Sequence, residues 1–91
     1  MPTGKPLKYD PLRRYLAGLP HDVTETTLTF AAIEALIGVP LPPSAWRQHW
    51  WVNVRHSSQA RAWLDAGWRL AGRNFHPAGP TVTFTRVAST R

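Results

Sequence analysis

The segment SSQARAWLDAGWRLAGRNFHPAGPTVTFTRV, Ser57 to Val87, decides the fold. Ser57 or Ser58 can cap a helix, and Ala60, Trp63, Leu64 and Gly67 recur at helical spacing up to a glycine stop. This predicts a helix over Ser58 to Ala66. Trp68 to Phe75 and Thr81 to Val87 then read as two strands joined by His76-Pro77-Ala78-Gly79-Pro80, a loop of hairpin length. On the second strand Val82 and Phe84 alternate with Thr81, Thr83 and Thr85, the pattern of one buried and one wet face.

Working back toward the N-terminus, Asp10 can cap a first helix over Pro11 to Ala17, because Pro11 suits the first turn and Gly18-Leu19-Pro20 stops it. Leu12, Tyr15, Leu16 and Leu19 form its apolar stripe. Thr26-Thr27-Leu28 is a short β-prone run, and Thr29 can cap a second helix from Phe30 to Ile37 ended by Gly38. Val39 to Pro43, with three prolines, excludes regular structure. A helical turn over Ser44 to Gln48 and an extended piece over Trp50 to Val54 are expected beyond it.

The order is helix, strand, helix, a Trp-rich insert, helix, strand, strand. That predicts a small α+β domain with winged helix-turn-helix-like order over residues 9–87, with a basic N-terminal arm at 1–8 and a polar tail at 88–91. A chain of 91 residues is one domain near the lower size limit for folding without a staple, and it has no cysteine to supply one. Fully burying a large apolar side chain contributes about 1.5–3 kcal/mol, so some of the five tryptophans must be structural.

The charge is divided. Residues 1–40 hold four Lys and Arg against four Asp and Glu, whereas residues 41–91 hold seven arginines against Asp65 alone, which accounts for the whole +6. All five tryptophans lie in the basic half. Such a half suits a polyanion, with DNA ahead of RNA. No apolar run of membrane-spanning length and no signal-peptide pattern occurs, so a cytoplasmic protein with no membrane partner is expected.

The pieces Tyr9-Asp10-Pro11-Leu12, Leu28-Thr29-Phe30 with Ile33-Glu34, and Leu41-Pro42-Pro43-Ser44-Ala45 carry a recognisable pattern. Trp50-Trp51-Val52-Asn53, Gln59 to Trp68, and Val82-Thr83-Phe84 continue it. In these the chain resembles a family of small bacterial domains of uncharacterised function. The resemblance implies one compact α+β domain and supplies no activity.

The candidate nucleic-acid contacts fall in two groups. Arg47, Arg55, His56, Ser57, Ser58, Gln59 and Arg61 surround the start of the third helix, where free N–H groups favour phosphate and where Gln59 and Arg61 are residue types that read base edges. Ala62 faces outward in this reading. Arg69 and Arg73 lie on the hairpin, where strict alternation puts both on the face opposite Trp68 and Leu70. A solvated helix face and solubility charge on a wet sheet explain the same residues without a ligand.

The insert Trp46-Arg47-Gln48-His49-Trp50-Trp51-Val52-Asn53 admits three readings: a core plug, a base-stacking platform, or a protein interface built on Trp46, Trp50, Trp51 and Asn53. The leading function is therefore nucleic-acid binding, with a protein-docking regulator or inhibitor as the alternative. No metal-ligand spacing and no cofactor motif is present, and catalysis would have to rest on His49 or His56 as a lone base, so no enzyme is expected. Oligomeric state is not legible.

Overall fold

The computed structural model describes residues 8–54 and 57–87, Gln48 without its side chain. The expected arm and tail lie outside them, apart from Lys8. In chain order the elements are α1 (Asp10–Ala17), β1 (Glu25–Thr29), α2 (Phe30–Ile37), the 3-10 turns η1 (Pro43–Trp46) and η2 (Gln48–Trp50), α3 (Ser58–Asp65), β2 (Trp68–Asn74) and β3 (Thr81–Arg86). Over the described residues this is a small α+β fold of three α-helices and one antiparallel sheet, in the order expected from the sequence.

Asp10 does not cap α1 but opens it. Tyr9 takes the N-cap position, and the Asp10 carboxylate accepts from Arg13 Nε at 2.7 Å and lies 3.3 Å from Arg14 Nε, so the acid binds its own helix. Leu12 and Leu16 are buried, while Tyr15 of the expected stripe is exposed. At α2 the Thr29 hydroxyl accepts from Ala32 N at 2.9 Å, and Gly38 closes the helix at φ 80°, a conformation that favours glycine. Thr29 also ends β1, so strand runs into helix without a loop. Glu34 Oε2 accepts from Leu41 N at 2.8 Å and ties the proline stretch back to α2.

The sheet order is β1-β3-β2. Leu28 pairs with Val82, Leu70 with Phe84 and Trp68 with Arg86, so their side chains share the inner face against the helices. Glu25, Thr85 and Arg69 form one row of the outer face, and Thr27 and Thr83 another, their hydroxyls 2.9 Å apart. Between Leu70 and Gly72 the β2 register slips by one residue. Beyond this bulge Gly72 faces Thr83 and Arg73 faces Val82, so Arg73 joins the inner face. Arg69 and Arg73 therefore do not project together: the expected alternation is correct up to Leu70 and inverted after it.

The core is aromatic. Trp63 is stacked on Trp51 at 5.7 Å between centroids and tilted against Phe84 at 5.4 Å; all three are buried. Each buried indole has an acceptor, as a buried N–H requires. Trp51 Nε1 donates to Ala45 O at 2.6 Å, Trp63 Nε1 to Asn53 Oδ1 at 3.0 Å, and Trp68 Nε1 to Leu16 O at 3.0 Å.

These bonds explain why the expected extended piece over Trp50 to Val54 does not begin at Trp50, which ends η2, and does not join the sheet. The Trp51 indole reaches back six residues to Ala45, which curls the chain into η1 and η2. Asn53 then takes the place a strand would have filled. Its Oδ1 accepts from Leu70 N at 2.8 Å and its Nδ2 donates to Leu70 O at 3.1 Å, pairing one side-chain amide with both backbone groups on the free edge of β2.

Candidate nucleic-acid interface

At the start of α3, Ser57 occupies the N-cap position, but its side chain makes no capping bond, and among the described residues its buried Oγ has no hydrogen-bond partner. Gln59 is half-buried and its Nε2 donates to Trp50 O at 3.0 Å, which fastens the insert to the helix. Ala62, expected to face outward, is buried, because α1 packs across that side of α3. Ser58 and Arg61 remain exposed. Arg55 and His56 lie outside the described residues.

Ser58 and Arg61 line a cleft of about 240 Å³ with Lys8 and Tyr9 from the start of α1. A smaller cavity of about 60 Å³ continues it, lined also by Asp10, Arg13, Ala62 and Asp65. The charge here is mixed. A hydrogen bond from Arg13, aided by the charges of Arg13 and Arg14, holds the Asp10 carboxyl below its ordinary range against a smaller opposing effect of desolvation. The same bond raises Arg13, with Asp65 contributing less. Burial raises the Tyr9 hydroxyl. The Lys8 ammonium lies 5.6 Å from the Tyr9 ring centroid.

The other exposed arginines are separate from this cleft. Arg69 points from the outer sheet face in the row of Glu25 and Thr85. Arg47 is exposed between the two 3-10 turns, and Arg73 is exposed on the inner side of the hairpin. Among the described residues no ion pair holds Arg47, Arg61, Arg69 or Arg73. Arg86 is different: its guanidinium lies 4.5 Å over the Trp68 ring, Nε donates to Val23 O at 3.0 Å, and Nη2 donates to Pro20 O at 2.8 Å and Leu19 O at 3.4 Å. The basic half is thus not one patch.

The tryptophans of the insert separate in the same way. Trp51 is in the core and Trp50 is half-buried, edge-on to Trp51 at 4.6 Å and to Tyr9 at 5.9 Å. Trp46 is 47% exposed, with its ring edge-on to Phe30 at 5.2 Å and tilted against Phe75 at 6.3 Å.

The sequence model of one family, a domain of unknown function (DUF7662), matches residues 9–88. The chain belongs to this family. No curated protein and no solved structure matches it. In this DUF7662 member, among the described residues, no three His, Cys, Asp or Glu side chains gather as a metal site, and no helix is long and apolar enough to cross a membrane.

Sequence reasoning missed two features of the DUF7662 surface. Phe75 is expected only as the end of a strand, yet it supports Trp46, and the bulge that turns Arg73 to its side is signalled by Gly72 inside a strand. The cleft between α1 and α3 had no sequence signal, since Tyr9 and Arg61 are brought together only by helix packing.

Proposed function

We propose that this domain binds nucleic acid, DNA ahead of RNA, with α3 and the β2-β3 hairpin as the contacting elements. One observation carries the reading: α3 leads straight into a hairpin that has no acidic residue from Ala66 to Arg91, within a sheet ordered β1-β3-β2. Such an order is that of a winged helix, in which a hairpin grips phosphates while the preceding helix lies in a groove. Arg47, Arg61 and Arg73 are the phosphate contacts. Gln59, the remaining base-reading candidate, would first have to leave the Trp50 carbonyl.

The test is fluorescence anisotropy with mixed-sequence duplex and single-stranded DNA across a salt series. Three phosphate contacts give a log–log salt slope of about −2.7 on duplex and about −2.1 on a single strand. No binding at low salt, or affinity independent of salt, overturns the reading.

A second reading, docking of a protein partner, is favoured by the half-exposed Trp46, because tryptophan and arginine are the residue types that dominate protein interfaces. Under it, Trp46→Ala abolishes binding to a purified partner and leaves DNA affinity unchanged.

A further inference from the structure

We propose that Trp46 is a stacking platform for an unpaired base, so that the preferred ligand of this surface is single-stranded nucleic acid. The proposal rests on the nucleic-acid reading above and adds to it the strandedness and the residue that selects it.

Trp46 differs from the three buried tryptophans in every respect that matters for packing. The residue is 47% exposed, and its indole N–H makes no hydrogen bond among the described residues. Yet it is held in place. Phe30 supports one side of the ring and Phe75 another, at 5.2 and 6.3 Å. Phe30 is itself fixed, with its ring 5.5 Å from Trp51 and its backbone N–H bonded to Pro80 O at 3.0 Å. An aromatic face held at the surface before the ligand arrives loses little conformational freedom on binding.

The surrounding charge selects the occupant. The bulge at Leu70/Gly72 turns Arg73 toward the inner side, and alternation puts Phe75 on that same side two residues later. Arg47 follows Trp46 directly and is exposed. Two arginines that form no ion pair among the described residues thus lie on the two segments that carry this aromatic face, Arg47 next to Trp46 and Arg73 two residues before Phe75, the combination that tracks a phosphate backbone while bases stack. A duplex hides the faces of its internal bases; an unpaired base presents one.

The test compares a short oligothymidine with an abasic strand of equal length and charge, using the intact protein. Both strands offer the same phosphates, and only the first offers bases. The wild type is expected to bind oligothymidine about tenfold more tightly than the abasic strand. Trp46→Phe keeps most of this preference because it keeps a π-face. Trp46→Leu, which keeps apolar cover over Phe30 and Phe75, loses the preference and leaves abasic binding and its salt slope at wild-type values. If Trp46→Leu melts below the assay temperature, the wild-type ratio decides alone.

Equal wild-type affinity for the two strands overturns the platform while leaving phosphate binding intact, and so does a preference that survives Trp46→Leu. Failure of the wild type to bind any strand, single or double, overturns the nucleic-acid reading itself. A purified protein partner whose binding needs Trp46, with no base preference in the wild type, gives the surface to a protein instead.

Discussion

Each end of the hairpin carries an arginine on the inner face, Arg86 over Trp68 at one end and Arg73 two residues before Phe75, which packs on Trp46, at the other, and the two ends use these groups oppositely. At the open end Arg86 lies over Trp68 and spends its N–H groups on the carbonyls of Leu19, Pro20 and Val23, while the Trp68 indole bonds Leu16 O. At the loop end Arg73 has no ion pair among the described residues, and Trp46, seated on Phe30 and Phe75, stays half-exposed. The first pair joins the loop after α1 to the sheet. The second has, among the described residues, an arginine with no ion pair and a tryptophan that stays half-exposed. Composition alone does not separate the two; the fate of each N–H and each ring face does.

The largest way to break this contrast is at the locked end. Trp68→Ala removes a wholly buried indole and is expected to cost about 3–5 kcal/mol, a large share of the stability of so small a domain. Urea denaturation followed by circular dichroism measures it. Asn53→Ala leaves Trp63 Nε1 and both Leu70 backbone groups without their partner, for an expected loss of about 2–3 kcal/mol in the same assay. Arg86→Ala, losing charge-assisted bonds that are partly solvent-exposed, should cost about 1–2 kcal/mol and leave the salt slope of DNA binding unchanged.

Asp10 sharpens the comparison by its pH dependence. Its folded carboxyl is held below the ordinary value of 3.8, so its contribution is complete above that value and is lost as pH falls through the lowered folded one. Melting temperature should therefore drop less between neutral and acid pH in Asp10→Asn than in the wild type. The smallest effect on stability is expected at the loop end. Arg73→Ala should change it by no more than about 0.5 kcal/mol, since the exposed side chain has no ion pair to lose among the described residues.

Much of the scaffold was legible in the sequence because local chemistry and tertiary packing agree there. Thr29, Phe30 to Ile37 and Gly38 give cap, helix and stop at the expected positions, and the Val82/Phe84 alternation identifies the buried face of β3. The insert was not legible in the same way. Trp50-Trp51-Val52 has the composition of a strand, but one indole bond from Trp51 to Ala45 and one amide bracket from Asn53 to Leu70 override that propensity. Asp10 was misplaced for a similar reason: a carboxylate that can cap found two arginines one turn away.

The candidate surface was partly readable. Arg47, Arg61, Arg69 and Arg73 are exposed, as charge suggests, but their grouping depends on the bulge and on helix packing. A single inserted residue moves Arg73 from the face of Arg69 to the side of Phe75 and Trp46. That changes which surface the hairpin presents.

The most direct test of the central claim is the salt dependence of binding to a single-stranded oligonucleotide, measured side by side for the wild type, Arg73→Ala and Arg86→Ala. The account predicts a wild-type log–log slope of about −2.1, a slope shallower by about 0.7 for Arg73→Ala, and no change of slope for folded Arg86→Ala. No binding by the wild type at low salt, or equal slopes for the wild type and Arg73→Ala, would contradict it.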